Sequence, residues 1–393
     1  MVPAAIALLI SLVGIMPYPV SDPRLIFSLM FLVTAVYSRQ KNGEYFSFLL
    51  IATFLSALAC FMEKAIIYAS IFVAFFHELR RSPIWDIGIY TASGAIFFSI
   101  YSFLNNLEIP FPNILFIALA GGLSAALMES VKSERDRRVL VLIALATVFA
   151  IFKIYIPTAS IESLAIAFLI SFLLSLMALK AGIADETGLV SATIVGTVII
   201  LFSNLNFFLV LLFFYLVGSA ITKYKYSLKA TLGIAEPSGG ARGFSNVFGN
   251  SLAPLFFAMQ YGVTKEEIFA FAFVASVATA LGDTMASEVG KTAEKVYLIT
   301  NFRRVKPGTN GGISAVGEVA AILGCALTSL LAFTLGILPL NYLTTVAVSA
   351  FIAIHIDSLL GATLEIKGYL NNSAVNFLAT LFGGIICIFF VYY

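Results

Sequence analysis

Apolar residues run along this chain in long uninterrupted stretches separated by short polar connections. The stretches are apolar all round, without the alternation of barrel strands, and they recur at the length needed to cross a bilayer. The pattern predicts an all-α polytopic membrane protein with about fifteen transmembrane helices, near 3–19, 25–38, 45–61, 65–78, 84–103, 112–128, 139–156, 162–180, 188–203, 207–222, 246–261, 266–285, 314–337, 342–357 and 373–391. Spans 25–38 and 65–78 are short and are expected to be tilted, broken or re-entrant. The first span lacks a basic start and a clear small-residue cleavage site, so it reads as a retained helix rather than a signal peptide.

Composition sharpens this. Of 393 residues, 60% are hydrophobic and 11% charged, with a mean hydropathy of +1.01. A soluble domain carries about 25% charged residues, so a soluble, disordered or collagen-like chain is excluded. The net charge of +2 gives no reason to expect nucleic acid; membrane lipid is the expected surrounding, and oligomeric state is not legible. Cys60, Cys325 and Cys387 lie inside apolar runs without metal-ligand spacing and read as packing residues. Of the 23 basic residues, 19 fall in alternate connections: 39–44, 79–83, 129–138, 181–187 with its border Lys180, 223–245, 286–313 and 358–371. The positive-inside rule makes that set, and the N-terminus, cytoplasmic.

Two regions differ in character. Residues 1–160 form an N-terminal transmembrane region of no evident role, with one charged segment, Glu129–Arg138, that reads as a solvated loop. From 161 to 393, polar and glycine-rich segments gather at predicted cytoplasmic span ends, which marks the catalytic candidate. In ALGDTMASEVGK, Asp283 ends an apolar span, Ser287 and Lys291 share its helical face, and Glu288 lies on the adjacent one. A carboxylate at that depth either caps the helix near water or faces a cavity and a divalent cation. In RRVKPGTNGGIS, Arg303, Arg304 and Lys306 precede a turn of Gly308, Thr309, Asn310, Gly311 and Gly312 that leads to Ser314. Such a turn before a helix N-terminus is an anion site, or else a membrane-flanking basic patch followed by an N-cap; it is not a Walker A loop.

Three further sets lie on the same side. GIAEPSGGARGFSNVFGN supplies Glu236, Gly239, Gly240, Arg242 and Asn246 in a loop longer than a plain connection needs. Asp357 and Ser358 end one span, Asn372 and Asn376 open the last, and His355 reads as a satisfied residue rather than a ligand. Asp185 and Glu186 open a span, where capping is an equal reading, and Glu318 follows Ser314 by one helical turn. Convergence of carboxylates and a basic glycine loop on one side suits metal-assisted phosphoryl or nucleotidyl transfer to a lipid-borne acceptor. A transporter or flippase would instead spread polar residues across the midplane and both sides.

At these residues the sequence resembles the transmembrane protein 19 / phytyl-phosphate kinase family, through GIAEPSGGARGFSNVFGN, LGDTMASEVGK, VKPGTNGGISAVG, IDSLLGATLE and NNSAVN over about 165–393. Met285 stands where that pattern has an aromatic. More distantly, GD followed by PGxxGG is similar to dolichol kinases and phosphatidate cytidylyltransferases. The resemblance implies a CTP-dependent kinase that uses Mg²⁺ to convert an isoprenyl monophosphate, of the phytyl or geranylgeranyl type, to the diphosphate. It implies that Asp283, Glu288 and Asp357 hold the metal, that Lys306 and Thr309 through Ser314 bind nucleotide phosphates, and that Glu236, Arg242 and Asn246 shape the site. The rival enzyme reading is a lipid cytidylyltransferase, which releases pyrophosphate where the kinase releases CDP.

Overall fold

The computed structural model describes residues 9, 11–17, 22–38, 46–58, 63–76, 82–130, 137–154 and 160–393. Arg39, Lys41, Arg80, Arg81, Lys132, Arg135 and most of the charged segment after Glu129 lie outside the described residues. The chain divides into two compact units, Met1–Ile166 and Ala167–Tyr393. The first holds α1 (Pro23–Ser38), α2 (Phe46–Leu58), α3 (Lys64–Ala74), α4 (Pro83–Leu104), α5 (Phe111–Ser130) and α6 (Arg137–Ile154). Two pairs of its buried polar groups join different helices: Thr34 and Thr53 hydroxyls lie 2.7 Å apart, and Tyr90 donates to Glu129 at 2.6 Å.

Helix α7 (Ile161–Lys180) begins at the boundary. Then come α8 (Glu186–Phe202), α9 (Leu205–Lys223), the short α10 (Tyr226–Thr231), a 3₁₀ turn at Pro237–Gly240, α11 (Phe244–Thr264), α12 (Glu267–Gly290), α13 (Ala315–Thr334), α14 (Leu343–Leu360) with a π turn at Gly361–Glu365, and α15 (Asn372–Tyr392). Asx and Ser side chains start several of these helices by accepting from first-turn N–H groups: Asp185 for α8, Asn204 for α9, Ser314 for α13 and Asn371 for α15.

This is an all-α polytopic membrane protein. Among the described residues, eight helices are long and apolar enough to cross: α4, α5, α7, α9, α12, α13, α14 with its flanking turns, and α15. Three shorter apolar helices, Pro23–Val36, Lys64–Ala74 and Glu186–Phe202, correspond to expected spans of reduced length. The expected spans 139–156 and 246–261 form α6 and α11, outside that set; α6 carries Arg137, Arg138 and Lys153, and α11 is interrupted by Asn, Ser, Gly and Pro254.

In the second unit α12 is central. Every residue from Ala270 to Gly282 is buried, and the helix packs against α9, α11, α13, α14 and α15. Small side chains make the close packing possible. A Cβ on Gly282 would lie 2.6 Å from Ile354 Cδ1, and one on Gly324 would lie 2.8 Å from Gly282 Cα. Ser276 donates to the Thr380 carbonyl of α15 at 2.7 Å. The residue that follows this locked stretch is Asp283, so its position is fixed by three helices.

The expected loop 286–313 is partly structured. Helix α12 continues one turn further, to Gly290, and the rest folds into a small antiparallel sheet. Strand β1 (Val296–Leu298) lies between β2 (Arg304–Val305) and β3 (Gly312–Ile313). The sheet pins both ends of the Lys306–Gly311 turn.

Candidate functional site

The glycine turn closes on itself. Thr309 N–H and Oγ1 both donate to the Lys306 carbonyl, and Gly312 N–H donates to the Thr309 carbonyl. Gly308 and Gly311 have φ of 81° and 73°, a region that favours glycine. A Cβ on Gly311 would lie 2.5 Å from Ala362 Cβ and from the Ser358 carbonyl oxygen. The turn therefore rests directly on the end of α14, beside Asp357 and Ser358. One on Gly308 would lie 2.9 Å from Ile234 Cγ2. Three of the sequence clusters thus meet at one end of the helices.

Asp283 and Asp357 form the acidic part. Asp283 is in electrostatic reach of Lys291, Glu365 and Glu288, and Asp357 of Asp283 and Glu365. Asp357 Oδ1 is buried and has no hydrogen-bond partner. Among the described residues no cluster of three or more His, Cys, Asp or Glu is placed to hold a metal. Two hard carboxylates with an unserved oxygen fit Mg²⁺ that takes its remaining ligands from phosphate and water.

Arg242 lies near this end of the helices as well, and it is only 6% exposed. Its Nη1 donates to Asn246 Oδ1 at 2.6 Å and its Nε to Ser219 Oγ at 3.2 Å. The guanidinium lies 5.2 Å from the Phe214 ring centroid and 5.7 Å from that of Tyr215. Burial lowers its pKa, against the fields of Tyr215, Glu236 and Glu288, yet an arginine remains charged. A Cβ on Gly218 would lie 2.7 Å from Arg242 Nη2, so only glycine leaves that nitrogen room. Among the described residues, the guanidinium hydrogen-bonds to neutral groups, Ser219 and Asn246. A buried cation held this way is suited to an anionic ligand.

Between Arg242 and the aspartates runs an ion network. Fully buried Lys229 bonds to Glu288 Oε2 and, at 2.7 Å, to the Thr222 carbonyl. Lys291 bonds to Glu288 Oε1 at 2.7 Å and to Glu236 Oε1 at 2.8 Å. Both oxygens of Glu288 are occupied by ammonium groups, which places it at the hub of this network. Lys229 went unnoticed in the sequence, where it counted only toward charge asymmetry; nothing in a short polar loop marks a lysine for full burial.

The other expected residues are placed as follows. Lys306, Gly308 and Asn310 are exposed on the turn, and Arg304 is exposed, with Nη2 on the Glu294 carbonyl at 3.1 Å. The Oγ of Ser314 caps α13, and Ser287 is exposed with its hydroxyl on the Thr284 carbonyl. Glu318 lies 3.3 Å from His355 Nε2, and His355 Nδ1 meets the Phe351 carbonyl at 2.9 Å, which satisfies the imidazole. Asp185 accepts from Gly188 N–H and Thr187, and its backbone N–H donates to the Arg242 carbonyl, so it ties α8 to the Arg242 segment. Glu186 and Asn372 are exposed, while Asn376 is half-buried and accepts at its carbonyl from Thr380. Gly239 is exposed and Gly240 packs against Thr222. Met285, at the aromatic position of the resemblance, is buried against Gly324.

Known proteins share the second unit. Residues 169–384 match the family described as integral membrane protein DUF92. An uncharacterised membrane protein of Synechocystis sp. is 34% identical over 224 residues, 56% of this chain and 87% of the relative. Another, from Methanocaldococcus jannaschii, is 33% identical over 229 residues, 56% of this chain and 91% of the relative. The chloroplastic protein VTE6 of Arabidopsis thaliana is 30% identical over 229 residues, 56% of this chain and 68% of the relative. No solved structure matches significantly. The family match leaves residues 1–168 outside it and takes in every residue of the helix-end cluster, and on that match the chain belongs to the DUF92 family of integral membrane proteins.

Proposed function

We propose that the protein is a CTP-dependent lipid kinase that converts an isoprenyl monophosphate of the phytyl or geranylgeranyl type to its diphosphate, with the site on the cytoplasmic side. The observation that carries this is the meeting of Asp283 and Asp357, the Lys306–Gly312 turn and the buried cation Arg242 at one helix end of a membrane protein. The family resemblance supports the choice of acceptor.

In the reaction, an oxygen of the acceptor phosphate bonds to the terminal phosphorus of CTP as the bond to the bridging oxygen breaks, releasing CDP. The attacking oxygen is already anionic, so the work is positioning and charge neutralisation. Mg²⁺ held by Asp283 and Asp357 would neutralise nucleotide phosphate charge. Arg242 pairs with the acceptor phosphate. The N–H groups of Gly308 and Asn310, which are not used in closing the turn, face the donor phosphates, and exposed Lys306 adds charge.

The test is a product assay on the detergent-purified full chain with CTP, Mg²⁺ and geranylgeranyl phosphate, with ATP as a parallel donor. Prenyl diphosphate plus CDP is expected. A CDP-lipid with pyrophosphate would make it a cytidylyltransferase. No turnover with either nucleotide would overturn the enzyme reading and leave transport as the next to examine.

A further inference from the structure

An apolar cleft lies beside Arg242, between α7, α8, α9 and α11. Its walls include Ser171 and Ala178 of α7, Ala192 and Gly196 of α8, and Tyr215 of α9, and Arg242 also lines it. The surface it exposes is almost wholly apolar. Two polar groups beside it have unused bonding capacity. Ser171 is 1% exposed and its Oγ has no hydrogen-bond partner, although a helical serine ordinarily bonds back to its own helix. Among the described residues, the Arg242 guanidinium has no carboxylate bonded to it.

The chemistry of the lining defines the occupant. An apolar cleft lined in part by a buried, anion-free cation is complementary to a long apolar chain bearing one anionic head. Along α7, Ser171 to Ala178 spans about 10 Å at 1.5 Å per residue, enough for the chain segment nearest the head. The outer face of α7, with Leu169, Leu173 and Met177 exposed, leaves the remainder of such a chain to the surrounding lipid. The guanidinium also lies close to the site: a Cβ on Gly218 would stand 2.7 Å from Arg242 Nη2 and 3.5 Å from Thr284 Cγ2, the residue next to Asp283.

We infer that this cleft seats the head-proximal isoprene units of the lipid acceptor, with its phosphate on Arg242, so that the chain enters between α7 and α9 and presents its phosphate toward Asp283 and Asp357. The identity of the acceptor rests on the prenyl-phosphate reading above; the seat itself rests on the cleft, Ser171 and Arg242. The geometry further assigns Ala192 and Gly196 as the residues whose small size lets the chain in.

The test needs no nucleotide and no turnover. Geranylgeranyl phosphate carrying a diazirine in its second isoprene unit is photolysed with the detergent-purified full chain, and the adducts are mapped by peptide mass spectrometry. Adducts are expected on 171–178 and 192–215, suppressed by unlabelled geranylgeranyl phosphate far better than by geranylgeraniol, which lacks the anion. Ala192→Phe, which fills the cleft without touching the ion network, is expected to lower labelling about tenfold, the loss anticipated when two methylene groups are denied burial. Arg242→Gln should lower it similarly while Arg242→Lys retains most of it. Adducts spread over all lipid-facing helices, labelling indifferent to Ala192→Phe, or equal competition by the alcohol would each overturn the proposal. Cleft labelling in a protein that transfers no phosphate would retain the lipid-phosphate seat and remove only the kinase reading.

Discussion

Gly311→Ala tests whether the glycine turn works by touching the end of α14. Two effects act at once. Alanine at a φ of 73° carries a left-handed backbone cost of about 1–2 kcal/mol. The new Cβ would also stand 2.5 Å from both Ala362 Cβ and the Ser358 carbonyl oxygen, and restoring ordinary contact requires the turn to withdraw by about 1 Å, a misplacement that can lower turnover on the order of 10²-fold. The protein supplies its own control. Gly336, between α13 and α14, has a φ of 72°, and a Cβ there would meet nothing within 4 Å. Gly336→Ala therefore carries the same backbone cost without the collision. Thermal melting in detergent should fall by a few degrees in both variants, whereas only Gly311→Ala should lose phosphoryl transfer, with a raised KM for nucleotide. Equal turnover in the two variants would refute the contact as a source of catalytic geometry.

Other expectations follow from the charge arrangement. Asp283→Asn should lower kcat on the order of 10²–10³-fold with the protein still folded in the membrane, while Glu288→Gln should chiefly lower the melting temperature; the reverse pattern would exchange their roles. Lys229→Met leaves one oxygen of buried Glu288 without its ammonium and should destabilise by roughly 3–5 kcal/mol, with Lys229→Met/Glu288→Leu losing less, as read by thermal melting. For Lys291, burial favours the neutral amine, but Glu236 and Glu288 outweigh it and raise the pKa. A raised value makes its stabilisation fully present below the unfolded amine's pKa of about 10.4 and lost only as pH rises through the higher folded value. The melting difference between wild type and Lys291→Gln should thus be constant from about pH 6 to about pH 9; collapse near neutrality would contradict the assignment.

The all-α membrane class and the gathering of chemistry at one helix end were legible in the sequence. Apolar runs fix helices in lipid with little ambiguity, and helix parity alone puts Asp185, Arg242, Asp283, Ser314 and Asp357 at the same end. What parity cannot supply is partnership. Whether Glu288 looks toward a metal or toward lysines depends on where α10 folds back, and the Tyr226–Thr231 segment gives no periodic signal in six residues. The same fold-back buries Lys229. Glu318 and His355 lie far apart in sequence and meet only because α13 and α14 pack side by side.

The partition of charge at this helix end argues for a divalent cation. Lys229 and Lys291 are committed to Glu288 and Glu236. Asp283 and Asp357 then lie within electrostatic reach of each other and of Glu365, and among the described residues no ammonium is bonded to either aspartate. An incoming polyphosphate would meet like charge at the two aspartates. A bound Mg²⁺ reverses the sign where the two substrates must meet. Its signature does not depend on turnover: Mg²⁺ at about a hundred times its Kd should stabilise the folded protein by about 2.7 kcal/mol, seen as a rise in melting temperature at constant ionic strength. Asp283→Asn/Asp357→Asn should abolish that rise while leaving the Lys229–Glu288–Lys291 network intact. An equal rise in wild type and double variant would place the cation elsewhere and remove the aspartate pair from the site.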